Sequence, residues 1–158
     1  MSEIDIGSKN MDQQQLAEAC SKAMYQRDQA TQALGIELLS VGPGRATLSM
    51  RVREDMLNGH RSCHGGLLFT LADSAFAYAC NSYNRSTVAS GCSIDYVAPG
   101  LVGDTLTAVA EERQRSGRTG VYDVTIYNQH QKPLTYFRGK SYQLRGTLLA
   151  EPNPDSSE

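Results

Sequence analysis

Residues 64–80 read His-Gly-Gly-Leu-Leu-Phe-Thr-Leu-Ala-Asp-Ser-Ala-Phe-Ala-Tyr-Ala-Cys, and at a 3.6-residue period this run leaves no continuous polar stripe. A helix that is apolar all round has to be enclosed by other structure. The run is shorter than the roughly 20 apolar residues of a bilayer crossing and carries Asp73 near its middle, so protein rather than lipid is expected to enclose it. A carboxylate without a partner in such surroundings costs on the order of several kcal/mol, so Asp73 is either tied to a neighbouring amide or cation, or employed in chemistry.

The start of the run favours chemistry. Two glycines in a first helical turn each cost roughly 1 kcal/mol against Ala. In exchange, they let another group approach the free N–H donors at the positive end of the helix dipole, where a carbonyl oxygen gaining negative charge would fit. Close packing of helix on strand would also account for Gly65 and Gly66. Gly65 and Asp73 lie about 12 Å apart along one helix at 1.5 Å per residue, too far to flank one carbonyl atom. If both serve one reacting centre, two antiparallel copies in a two-fold dimer must share it.

At 158 residues the chain is long enough for one domain with a substantial core. A formal net charge of −2 without a basic stripe argues against a nucleic-acid partner. The four cysteines, Cys20, Cys63, Cys80 and Cys92, form no Cys-x-x-Cys pair, and the first residues have neither a basic nor an apolar leader segment. A reducing cytoplasm is the expected setting. No metal is expected, because His60, Cys63 and His64 are the only closely spaced ligand types and lack a second cluster.

Residues 1–11 are polar and expected to be flexible, as is the tail 148–158 with its prolines and serines. Leu16, Ala19, Cys20, Ala23 and Met24 recur at helical steps, predicting a covering helix over 12–34 stopped by Gly35. Strands are expected at 36–41 and 46–52, joined by Gly42-Pro43-Gly44, with a loop over 53–63 leading into the central helix. Beyond that helix, 87–97, 104–114, 121–127 and 134–144 read as strands. Helix, two strands, helix and four strands make an α+β layer structure, one domain over 12–147 with a curled antiparallel sheet around the buried helix.

The ordered set Leu57-Asn58-Gly59-His60, Cys63-His64-Gly65-Gly66 and Leu71-Ala72-Asp73 resembles the hotdog-fold acyl-CoA thioesterases, the phenylacetate-degradation type above all. The likeness extends through 76–81, Pro99-Gly100, 103–107, 119–123 and 137–141, and covers roughly 30–147. It implies that Asp73 is the catalytic acid, acting as nucleophile or as general base on water. Gly65 corresponds to the backbone N–H that polarises the thioester carbonyl, and Asn58 to the polar residue placing water and substrate. His64 would supply a supporting hydrogen bond, with capping or packing as its alternative. The loop Arg115-Ser116-Gly117-Arg118-Thr119-Gly120 resembles the segment running along pantetheine and nucleotide, with Arg138 and Lys140 a second place to meet phosphate; either set could instead be merely solvated.

Leu57, Leu68, Phe76 and Tyr96 are candidate acyl-pocket walls, unless they are ordinary core. The resemblance points to phenylacetyl-CoA and its ring-hydroxylated relatives, with coenzyme A as part of the substrate, no separate cofactor, no membrane, and a dimer that pairs into a tetramer. The chemistry agrees independently: thioester cleavage needs a nucleophile, oriented water and an oxyanion site, and no Gly-x-Ser-x-Gly elbow is present. The competing readings are a hotdog hydratase or dehydratase, for which no histidine lies in the helix near Asp73, and a non-enzymatic acyl-CoA sensor, in which Asp73 would be expendable.

Overall fold

The computed structural model describes residues 11–150. The expectations for 1–10 and 151–158 therefore fall outside the described residues. Asp12 opens helix α1 (Gln13–Arg27), its carboxylate accepting the Gln15 N–H while the Gln15 side chain accepts the Asp12 N–H, a reciprocal capping box. The helix predicted to run to residue 34 stops at Arg27. Asp28 takes a non-helical conformation (φ −86°, ψ 83°) and caps a second helix, α2 (Gln29–Ala33). Its carboxylate accepts the Thr31 N–H at 3.1 Å, the Thr31 hydroxyl at 2.6 Å and the Tyr78 hydroxyl at 3.2 Å. A residue needed as an acceptor for a new helix and for the core cannot also continue the old one.

Strands β1 (Glu37–Gly42) and β2 (Arg45–Arg51) form the expected hairpin, and a short 3-10 turn at Glu54–Met56 leads toward the central helix α3 (Gly65–Cys80). Then come β3 (Thr87–Tyr96), β4 (Thr105–Ser116), β5 (Thr119–Tyr127) and β6 (Pro133–Gln143). The strands make one antiparallel sheet in the order β1-β2-β4-β5-β6-β3. It curls around α3, as the resemblance implies.

Alternation along the strands builds the core. Leu48 and Met50, Leu106 and Ala108, and Val124 and Ile126 are buried in a cluster with Leu71, Ala72, Ala75 and Phe76 of α3. Gly139 lets β6 come close to α3: a Cβ there would lie 2.8 Å from the Phe76 ring. The strands β4 and β5 run closer to their turn than predicted, leaving only Gly117 (φ +58°) and Arg118 between them.

Two features leave the single chain unfinished. The helix expected to be enclosed all round keeps a half-covered stripe, with Gly66 exposed and Thr70, Asp73, Ser74 and Ala77 only partly buried. Beside it, β3 is an unpaired sheet edge on which Val88 and Tyr96 stand exposed, followed by exposed Val97. At the other end, the Asn84 side-chain oxygen accepts the Leu148 and Leu149 N–H groups, so the chain is fastened past the boundary expected at 147.

Candidate active site

Local structure fixes the start of α3 firmly. The His64 N–H donates to the Met56 carbonyl and the Cys63 N–H to the Gly100 carbonyl, both at 2.8 Å, so two separate loops hold the segment before the helix. His64 is the N-cap, its Nδ1 accepting the Gly66 N–H at 3.0 Å. This is the capping alternative considered for that residue. Gly65 is the first helical residue, and its N–H has no acceptor within the helix.

Around that amide lies a cavity of about 410 Å³ lined by Asn58, Ser62, Gly65, Leu68, Tyr96 and Pro99. Four of the predicted residues, Asn58, Gly65, Leu68 and Tyr96, thus meet there. The Asn58 Oδ1 accepts the His60 N–H at 2.9 Å and the Ser62 N–H at 3.2 Å, which rigidifies the loop and leaves the Asn58 NH₂ as the free end. The Tyr96 hydroxyl donates to the Gly65 carbonyl at 2.8 Å. Of the other proposed walls, Leu68 lines the cavity, whereas Phe76 belongs to the core, edge-on to Tyr122 at 5.5 Å between ring centroids.

Asp73 lies two turns further along α3. Among the described residues its carboxylate has no ion-pair partner and no side-chain hydrogen bond. Burial pushes its carboxyl above the ordinary range. Its charge adds to burial in raising the Cys80 and Cys92 thiols, placing the carboxylate within electrostatic reach of both α3 and β3. Within one chain the Gly65 amide and Asp73 remain about 12 Å apart along the helix.

The hairpin β4–β5 holds the second predicted group. Arg115 stacks on the Tyr83 ring at 3.5 Å and approaches Glu112 at 3.6 Å. Glu112 Oε1 accepts hydrogen bonds from the Tyr83 and Tyr122 hydroxyls, both at 3.0 Å. Arg115, Gly117, Arg118 and Thr119 line a narrow slot together with Arg85, a residue that sequence reasoning missed. Ser116, Thr119, Gly120 and Lys140 line an adjoining groove of about 330 Å³.

Arg138 is elsewhere. It sits on the outer face of the sheet, where its guanidinium donates twice to Asp123, at 2.7 and 2.9 Å, so its main partner is within the protein.

A curled sheet around a helix that presents a free amide at its start and an unpaired carboxylate in its middle defines a hotdog-fold thioesterase. The chain belongs to the thioesterase superfamily, whose family description matches residues 60–135. It is 54% identical to acyl-coenzyme A thioesterase PaaI of Escherichia coli K12 over 129 residues, 82% of this chain and 92% of that protein. Human acyl-coenzyme A thioesterase 13 is 29% identical over 68% of this chain and 79% of its own length. The solved structure of the E. coli PaaI protein superimposes with a TM-score of 0.85 at 51% identity, covering 86% of this chain and 99% of that one. A Streptococcus mutans protein solved with acetyl CoA bound matches at a TM-score of 0.68 and 27% identity, over 71% and 90% of the two chains. Among the described residues, no helix is long and apolar enough to cross a membrane.

Proposed function

We propose that this thioesterase hydrolyses acyl-CoA thioesters, with phenylacetyl-CoA and ring-hydroxylated aryl-acetyl-CoA as the preferred class. The observation that carries the reading is the half-buried, unpaired Asp73 on the same helix as an amide donor that opens into a cavity. The thioester carbonyl lies in that cavity with its oxygen on the Gly65 N–H, while the Asn58 amide orients water or substrate. Asp73 then either takes a proton from the attacking water or attacks the carbonyl carbon itself, forming an anhydride that water opens. Both routes break the C–S bond, and the departing thiolate takes up a proton to give free CoA and the carboxylic acid.

The two groups meet across a homodimer, Gly65 from one copy and Asp73 from the other. The exposed edge of β3 and the half-covered stripe of α3 support pairing with a second copy, because an unprotected sheet edge is a ready template for another strand. Pairing of two such dimers follows from the family resemblance. The nucleotide of CoA runs along the β4–β5 hairpin, with Arg115, Arg118 and the backbone of 116–120 as its contacts.

The deciding experiment follows free thiol from aryl-acetyl-CoA and a series of short aliphatic acyl-CoAs. Turnover highest on the aryl-acetyl substrates is the expected result. Fast release from aliphatic substrates alone would overturn the acyl-group assignment, and hydration of an enoyl-CoA without thiol release would establish the hydratase reading instead.

A further inference from the structure

Arg85, Arg115 and Arg118 come from a loop, the end of β4 and the β4–β5 turn, yet they line one slot. Glu112 lies beside Arg115. Among the described residues neither Arg85 nor Arg118 has a carboxylate partner. Like charges gathered in this way repel one another unless an anion sits between them. Of the hydroxyls lining the same slot, those of Thr87 and Thr119 donate to the Arg85 and Ser116 carbonyls, which leaves the Ser141 hydroxyl as a donor for an anion.

The loop that carries Arg85 is also held in place. Asn81 fixes it by donating to the Thr87 carbonyl at 3.0 Å and accepting the Thr87 N–H at 2.9 Å. The Ser86 N–H donates to the Gly146 carbonyl and the Leu144 N–H to the Ser86 carbonyl, while the Gln143 N–H reaches Arg118 at 2.7 Å. The β6 end and the segment after it thus clamp Arg85 and Arg118 side by side.

We infer that this slot binds the 3′-phosphate on the adenosine ribose of the CoA substrate, with Arg85 as its added cation. The inference rests on the reading that the β4–β5 hairpin takes the CoA nucleotide. A phosphate monoester carries about −1.5 to −2 charge at pH 7, which matches the two guanidiniums left without a carboxylate. The slot's free space is only about 10 Å³, room for about one water-sized group. A slot so narrow takes a single oxygen, with the rest of the phosphate at its mouth on Arg85 and Arg118, and a terminal phosphate attached at one point presents an oxygen that way better than a pyrophosphate that continues on both sides.

Position along α3 also says which copy holds the phosphate. Cys80 lines the slot and lies about 10 Å beyond Asp73 but about 22 Å beyond Gly65 along the helix. The chain that supplies Asp73 to a shared centre therefore supplies the phosphate slot to the same substrate, and the other chain supplies Gly65, Asn58 and Tyr96.

The test compares one acyl group on CoA, on 3′-dephospho-CoA and on pantetheine, with parent, Arg85→Ala and Arg118→Ala enzymes. Arg85→Ala should raise KM for acyl-CoA roughly tenfold or more with kcat little changed, as expected for a lost charge-assisted contact, and should leave KM for acyl-dephospho-CoA unaltered. Equal losses on acyl-CoA and acyl-dephospho-CoA would place Arg85 on the pyrophosphate and overturn the assignment. No effect of Arg85→Ala beside a clear effect of Arg118→Ala would remove Arg85 alone. No effect of either would remove the nucleotide from this hairpin altogether. A change in acyl-pantetheine turnover on adding inorganic phosphate would identify a regulatory anion site instead.

Mixed oligomers test the pairing of sites. With Asp73→Asn chains in excess over Arg85→Ala chains, every Asp73 left belongs to a chain without Arg85, so the high KM should persist. Return of the parental KM would show that the two groups act on one substrate from different chains.

Discussion

The Tyr96 hydroxyl donates to the Gly65 carbonyl at 2.8 Å, and its ring lies 3.2 Å from where a Cβ on Gly65 would stand. Gly65→Ala therefore keeps the amide but pushes Tyr96 aside, which costs little because Tyr96 is half-exposed. Gly65→Pro adds loss of the N–H. Proline is well tolerated at a first helical position, and His64 already has the extended conformation that precedes proline (φ −56°, ψ 132°). Steady-state kinetics should show kcat within about tenfold of parent for Gly65→Ala and about 10²–10³ lower for Gly65→Pro, the range for one lost oxyanion donor. Equal kcat for the two variants would mean that the amide stabilises no charge.

Asp73→Asn should lower kcat by roughly 10²-fold or more, the effect of losing a positioned base. Its stability should move the other way. Burial raises the folded-state pKa of Asp73 above its unfolded value, so ionising it costs stability as pH rises from the unfolded pKa through the folded one. The neutral Asn removes that cost. Melting temperature should be equal to or above parent at pH 7, and any gain should vanish below about pH 4, where the unfolded chain's carboxyl is protonated too.

Asp123 gives the opposite sign. Hydrogen bonds from Arg138 first, with Arg113 adding, hold its carboxyl below the usual range. The stabilisation is present above the unfolded pKa and is lost as pH falls through the folded one. Asp123→Asn should thus lower the melting temperature at pH 7 and have less effect toward pH 3. Because Arg138 is engaged by Asp123, Arg138→Ala should raise KM for acyl-CoA less than Arg118→Ala does.

A shared centre leaves no active monomer. Light scattering on a sample that turns over should give at least twice the chain mass of 17.2 kDa. A charge on the β3 edge, as in Val88→Lys, should reduce assembly and activity together. An active species at the single-chain mass would place both groups in one chain.

The central helix and strand alternation were legible because each depends on a period a few residues long. The break at Asp28 had a local signature as well, Asp28 with Thr31 three residues on, but the apolar recurrence through Met24 masked it. The outward placement of Arg138 and Lys140 follows from strand parity with the buried Phe137 and Ser141. Arg85 had no such signal. Its place beside Arg118 is created by hydrogen bonds from residues 143–146, far along the chain, and no spacing within the loop encodes them. The unpaired state of Asp73 was equally a matter of tertiary surroundings.

One hydrogen-bonded helix carries both Gly65 and Asp73, so the backbone itself sets their separation within a chain. What remains adjustable is the spacing between two such helices. In a shared centre, that spacing is the width of the reaction chamber. Substitutions where one copy rests on another can widen or narrow it while every reacting group stays unchanged. Acyl-group preference is then open to drift at positions remote from the chemistry, and a survey confined to cavity-lining side chains would not see it.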